Sequence, residues 1–173
     1  MCGIFGIISN APIQTSKLRV LSLHARQRGK DSSGFVYMKN DAYLVKRANF
    51  DIQKLLPKLD LAITNLVAGH SRLVTNGFND NQPVARDNLI LIHNGIITNA
   101  DTLWGTLKVN RKYEIDSEII LGLTIELLNN GTNLNDLANE ILQKCQGTIS
   151  AALLIPLRGK AILFSNCGSL YYS

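Results

Sequence analysis

The chain has 173 residues, 46% of them hydrophobic and 18% charged, with a formal net charge of +5. That is enough for one domain with a real core, too little for two ordinary ones, and globular rather than disordered in composition. No apolar run approaches the ~18 residues a membrane-spanning helix needs. The start lacks the basic-then-apolar pattern of a signal peptide, and the lysines and arginines are scattered rather than gathered as in a nucleic-acid-binding stretch. These features predict a single cytoplasmic domain over residues 1–173 with neither a membrane nor a nucleic acid as partner; assembly into an oligomer stays open. Cys2, Cys145 and Cys167 suit neither a disulfide framework nor a metal site. Cys145 and Cys167 are read as ordinary thiols, and no metal or cofactor is expected.

In chain order, alternation and β-branched content predict strands at Gly3–Ile8, Gly34–Met38, Tyr43–Lys46, Leu66–His70 and Leu89–His93. Three more are expected late, at Ile149–Ile155, Lys160–Phe164 and Ser169–Tyr172, with a hairpin turn at Arg158-Gly159. Helical spacing covers Thr15–Ala25, Ala100–Lys108, Asp116–Asn129 and Leu134–Cys145. Asn129-Asn130-Gly131-Thr132 stops the third helix, and Asn133 or Asn135 caps the fourth. Strands, then helices, then strands again is not the alternation of a parallel sheet. The order predicts an α+β domain of mainly antiparallel sheet covered by helices.

Chemistry-bearing residues cluster at strand ends and in turns. The chain opens Met1-Cys2-Gly3, and loss of the initiator methionine would give Cys2 a thiol and a free α-amine on one carbon. Thiols titrate near ~8.5 and α-amines near ~7.7–8.0, so such a residue can serve as nucleophile and base at once. Taken alone, Cys2 is equally a small apolar residue. In Gly69-His70-Ser71-Arg72-Leu73-Val74-Thr75 the Arg72 fork and the Thr75 hydroxyl suit a carboxylate. His70 is read as structural. The strand Leu89–His93 runs into Asn94-Gly95, either a β-turn signal or a side-chain amide beside a backbone N–H, the donor pair of an oxyanion hole. Asp116-Ser117-Glu118 is a helix start or a carboxylate set to hold an ammonium group. Arg28-Gly29-Lys30-Asp31-Ser32-Ser33-Gly34 reads as a tight turn between helix and strand. Together these parts match glutamine: Arg72 with Thr75 for its α-carboxylate, Asp116 for its α-ammonium, and Cys2 with Asn94 and Gly95 for its carboxamide.

On these residues the chain resembles the class II glutamine amidotransferase domains, which are N-terminal nucleophile hydrolases. Met-Cys-Gly-Ile-Phe-Gly-Ile is similar to the family's nucleophile strand, and Gln27–Gly34 to its Arg-Gly-x-Asp-(Ser/Ala)-x-Gly loop. Gly69–Arg72 with Thr75 and Gly77 resembles the glutamine-carboxylate loop, His93-Asn94-Gly95 the oxyanion motif, and Asp116-Ser117-Glu118 the Asp-x-Glu helix start. The resemblance implies a four-layer αββα sandwich of two mainly antiparallel sheets, the N-terminal nucleophile hydrolase fold. It implies that Cys2 attacks the glutamine amide to form a glutamyl thioester and release ammonia, with Asn94 and Gly95 on the oxyanion. Arg72, Thr75 and His93 then join Asp116 in binding substrate. L-glutamine is the implied ligand, and a synthase domain or partner protein the implied ammonia acceptor.

Within the family, Gln82-Pro83 and Thr98–Leu103 look most like amidophosphoribosyltransferases, and the Met-Cys-Gly start also suits sugar-phosphate amidotransferases such as glucosamine-6-phosphate synthase. Ser169-Leu170-Tyr171-Tyr172 is similar to a Pro-Leu-Tyr-Tyr strand of asparagine synthetases. Leu73 and Asn76 stand where the sugar-phosphate enzymes carry Trp and His, which bears on the coupling and lid contacts made there. The chain ends before the last strands and helices usual for such a domain. That implies either a domain shortened at its C-terminus within a longer protein, or a compact stand-alone version. Two other readings remain: an N-terminal-cysteine hydrolase of another amide, and a glutamine-binding module without catalysis.

Overall fold

The computed structural model describes residues 2–61, 64–73 and 80–172. Two compact units divide the chain, Met1–Pro83 and Val84–Ser173, each built on one antiparallel four-stranded sheet with helices.

In the first unit the strands are β1 (Gly3–Ile8), β2 (Ser32–Lys39), β3 (Ala42–Ala48) and β4 (Leu66–Arg72), in the spatial order β1-β4-β2-β3. Helices α1 (Thr15–Arg26) and α2 (Ile52–Leu55) join them. β2 and β3 turn on Asn40-Asp41, both at positive φ (49° and 60°), the two-residue loop whose twist matches an antiparallel pair. Alternation then sorts the faces. Phe5, Ile7, Phe35, Tyr37 and Val67 pack with Leu18, Ile52 and Leu55 of the helices, and Phe35 meets Phe5 edge to face at 5.8 Å. His70 and Arg72 fall on the other face, with Gly34 opposite His70 and Ser32 opposite Arg72.

The second unit has β5 (Val84–Arg86), β6 (Leu89–Ile97), β7 (Gly147–Ile155) and β8 (Lys160–Ser165) in that spatial order. Its helices are α3 (Ala100–Trp104), α4 (Glu118–Asn129) and α5 (Leu134–Lys144). Leu89, Leu91, Ile149, Ala151 and Leu153 pack against Ile119, Ile120, Leu123, Leu137 and Ile141. The Asn133 side chain caps α5 by accepting the Asn135 N–H at 3.0 Å. The expected turn between β7 and β8 is present, a 3-10 turn at Pro156–Arg158 closed by Gly159 at φ 57°.

The α+β class and the two antiparallel sheets agree with the sequence expectation, and most boundaries move only by a residue or two. Four differences bear on the site or the topology. β6 runs on through Asn94-Gly95 to Ile97, so no turn interrupts it there. α3 stops at Trp104 rather than Lys108, with Gly105 as its cap. α4 starts at Glu118 because Asp116 turns its carboxylate onto the Ile97 and Ser117 N–H groups instead of entering the helix. Ser169–Tyr172 joins neither sheet among the described residues; Ser169 bonds back to Ser150 at 2.8 Å, and Tyr171 and Tyr172 are 87% and 89% exposed. Strand β5 and helix α2 are too short for periodicity to announce.

Asn81 ties the end of the first unit to its sheet. Its amide donates to the Ser33 carbonyl at 2.9 Å and the Ala48 carbonyl at 3.1 Å, while its oxygen accepts the Gln82 N–H at 2.8 Å and the Ser32 hydroxyl at 3.3 Å. Asn81→Ala leaves these groups short of partners, and urea denaturation is expected to show a loss of about 1–3 kcal/mol.

Candidate active site

Cys2 sits immediately before β1, half-buried, and its thiol faces the Leu73 carbonyl at 3.8 Å. Gly3 fixes that position. A Cβ on Gly3 would lie 2.3 Å from the Ala25 carbonyl oxygen, so only glycine lets α1 press onto the strand start. Gly3 is paired with Ser71, which leaves Cys2 and Arg72 as the next residues on two neighbouring strands.

Arg72 is buried at the end of β4. Its backbone carbonyl accepts the Asp31 N–H at 3.0 Å, and its guanidinium donates to the Asp80 carbonyl. The Gly29 carbonyl accepts the Ser71 hydroxyl at 2.7 Å. The Arg28–Gly34 turn therefore anchors the strand end that carries Arg72. Of the expected carboxylate clamp, Thr75 lies outside the described residues, as do Asn76 and Gly77.

In the second unit, β6 presents His93 and Gly95 to the helix side and Asn94 to the other. Asn94 is buried and stands opposite Ser150, Gly95 opposite Ile149. Gly95 has a φ of 151°, and a Cβ there would lie 1.8 Å from the Thr148 carbonyl oxygen and 2.8 Å from the His93 ring. No other residue fits without moving β7. The His93 ring spans Ser117 and the strand: Nδ1 is 2.8 Å from the Ser117 hydroxyl and Nε2 is 3.4 Å from the Thr148 carbonyl. A carbonyl only accepts, so Nε2 carries the hydrogen and Nδ1 accepts from Ser117. Burial holds the imidazole below its ordinary range, against the opposing pull of the Asp116 carboxylate and the Thr148 carbonyl.

Asp116 is half-buried. One oxygen accepts the Ile97 N–H at 2.8 Å and the other the Ser117 N–H at 2.9 Å. Each oxygen keeps a further acceptor site, since a carboxylate offers about four lone pairs. The structure thus gathers Cys2 with Arg72 in one unit, and Asn94, Gly95, His93 and Asp116 in the other. Among the described residues no group of three His, Cys, Asp or Glu side chains comes together to hold a metal.

The chain aligns over 98% of its length, at 28% identity, with a glutamine–fructose-6-phosphate aminotransferase of Bradyrhizobium diazoefficiens. Enzymes of the same name from Chlamydia muridarum and Thermococcus kodakarensis are 30% and 29% identical over 89% of it. No family model matches. Among solved structures, the glutamine phosphoribosylpyrophosphate amidotransferase of B. subtilis superposes with a TM-score of 0.75 over 95% of this chain at 22% identity, which establishes the fold. In sequence the chain is similar to these glutamine-dependent aminotransferases, and in fold to the phosphoribosylpyrophosphate enzyme, both class II glutamine amidotransferases. It spans 29%, 27% and 27% of the lengths of the three aminotransferases and 37% of the solved chain.

Two features of this chain escape sequence reading. Ser117 and Thr148 bracket His93 from 24 and 55 residues away, and only the Asp-Ser-Glu helix start hinted at the first. Cys167, read as an ordinary thiol, lies among the Ser150, Ser165 and Ser169 hydroxyls at 3.3, 3.5 and 2.9 Å. Their hydrogen bonds pull it down to about 6, whereas burial pushes Cys145 up to about 11.

Two measurements follow from these environments. Because the unfolded imidazole titrates near ~6.5 and the folded one lower, the unfolded chain takes the proton first. Stability present above that pH is therefore lost as pH falls below ~6.5 toward the folded value, and denaturant titrations across that range should show the loss in wild type and not in His93→Gln. Iodoacetamide labelling of Cys167, followed by mass spectrometry, is expected to rise with a midpoint at about 6, with Cys145 unlabelled in the folded protein.

Proposed function

We propose that this chain is the glutaminase unit of an amidotransferase acting in the cytoplasm, its two compact units together forming one domain. Cys2, exposed by loss of Met1, is the nucleophile. Its sulfur forms a bond to the side-chain carbonyl carbon of L-glutamine, and the thiol proton passes to its own α-amine. Asn94 and the Gly95 N–H stabilise the resulting oxyanion, a term of about 2.7–4 kcal/mol per donor in hydrolases where one has been removed. Collapse of the intermediate breaks the carbon–nitrogen bond. The α-ammonium returns its proton to the leaving group, which departs as ammonia and leaves a glutamyl thioester. Water then cleaves the thioester to glutamate and restores the thiol. Arg72 with Thr75 binds the α-carboxylate and Asp116 the α-ammonium, while His93 orients the Asn94-Gly95 strand through Ser117 and Thr148. The ammonia acceptor is on another domain or another protein.

The observation that carries this reading is the pairing of β1 with β4, which sets Cys2 and Arg72 at adjacent strand ends. The relatives matched are themselves named for glutamine-dependent transfer. Among the described residues no helix is long and apolar enough to cross a membrane.

The test is glutamate release from L-glutamine. Wild type is expected to release it, and Cys2→Ala to fall by a factor of about 10⁴ or more, as when a catalytic nucleophile is removed elsewhere. A permanent N-terminal tag, which abolishes the free α-amine, is expected to silence the protein as fully. Equal release by wild type and Cys2→Ala would remove Cys2 from the mechanism, and full activity of the tagged form would remove the own-amine base.

A further inference from the structure

Asp116 hangs on the segment 110–117, which belongs to no helix or strand. What holds that segment is a buried ion pair. Arg86, in the short strand β5, is 7% exposed, and Glu118, the first residue of α4, is completely buried. The Arg86 guanidinium lies 2.6 Å from the Glu118 carboxylate and donates to the Asn110 carbonyl at 3.0 Å. Glu118 in turn accepts the Lys112 N–H on both oxygens at 3.1 Å and the Tyr113 N–H at 2.8 Å. The Tyr113 hydroxyl closes the frame on the Ala85 carbonyl at 3.1 Å.

A buried ion pair is poor evidence of stability, because removing two charges from water consumes most of their attraction, and well-packed apolar residues often do as well. What charged groups add is direction: each contact above fixes a backbone group along a defined hydrogen-bond vector. The segment enters this frame at Asn110 and leaves it at Glu118, with Asp116 between the anchors. We infer that Arg86 and Glu118 are positioning residues for Asp116, and that the pair sets this domain's preference for a substrate bearing an α-ammonium group. The inference rests on the role given to Asp116 above. Neither residue needs to touch substrate; both act through the backbone of 110–117.

The experiment compares kcat/KM for L-glutamine with that for glutaramic acid, which is glutamine without its α-amine, in wild type, Asp116→Asn, Glu118→Gln and Arg86→Lys. The ratio of the two values does not depend on how much enzyme is folded, so lost stability alone cannot move it. Glu118→Gln turns an amide NH2 toward a backbone N–H, and Arg86→Lys keeps the charge but loses the planar fork. Both are expected to lower the ratio roughly tenfold, as a sub-ångström displacement of a positioning group does. The change should appear as a raised KM for glutamine with kcat held, and with glutaramate kinetics unchanged. Asp116→Asn is expected to lower the ratio further. If Asp116→Asn leaves the ratio at the wild-type value, Asp116 does not read the ammonium group, and both readings are overturned. If Asp116→Asn collapses the ratio while Glu118→Gln and Arg86→Lys preserve it, Asp116 keeps its role and the positioning inference alone is overturned.

Discussion

The close approach of α1 to the start of β1 is the constraint on which the first unit depends. Gly3 has no room for a side chain above Ala25, so the strand enters the sheet at one height and pairs with β4 in one register. A slip of one residue would move Phe5 and Ile7 off the helix face and bring Ile4 and Gly6 onto it. The same slip would part Cys2 from Arg72. Core packing and chemistry are thus set by one choice of register. The turn after α1 reinforces it, because Ser71 and Arg72 are held to Gly29 and Asp31 by hydrogen bonds to and from the backbone.

The second unit solves a different problem, that of placing a carboxylate without a regular element to carry it. Asp116 and Glu118 are two residues apart and do unlike work. Glu118 is sealed from water and saturated by a guanidinium and two backbone N–H groups. Asp116 is half-buried, with one backbone N–H on each oxygen and the Ser117 hydroxyl 3.5 Å from one of them. Glu118 also receives the one bond here in which donor and acceptor are both charged. The stronger set therefore lies where no ligand can reach, and the partly satisfied group lies where one can. Through the Ile97 N–H, Asp116 is also tied to the strand that bears Asn94 and Gly95. The carboxylate and the candidate oxyanion donors share one rigid support.

Local pattern carried much of this. β1, β7 and the helices α1, α4 and α5 were legible because their apolar spacing matches one period over enough residues to exclude the other. Asn94-Gly95 was ambiguous for a physical reason: the dipeptide favours a turn, and what overrides it is β7, some fifty positions away in sequence. Paired with Ile149, and with the Thr148 carbonyl filling the space a Cβ would need, Gly95 stays within the strand. Ser169–Tyr172 shows the converse. Its aromatic residues favour a strand, but strand formation needs a partner edge, and Ser169 bonds to Ser150 instead. The Arg86–Glu118 pair was beyond reach because its members are 32 residues apart and one sits on a three-residue strand. Motifs gave the residues that resemble the family's catalytic set, while the groups that hold those residues in place are long-range and leave no periodic trace.

The departure at Leu73 can now be weighed. Its side chain is 43% exposed, and what faces the Cys2 thiol is its main-chain carbonyl. A backbone contact of that kind survives any side chain compatible with the strand end, so a leucine in place of a tryptophan leaves that contact intact. The same holds for the Arg72 carbonyl, which accepts the Asp31 N–H. Identity of only 28–30% to the aminotransferases is therefore compatible with a β1 start held as described. The geometry there is written in main-chain hydrogen bonds and in the absence of a Cβ at Gly3, and both constrain few side chains. Where side chains themselves must recognise the substrate, as Arg72 and Asp116 are proposed to do, the residue types match the family pattern, and that is where substitution should be tolerated least.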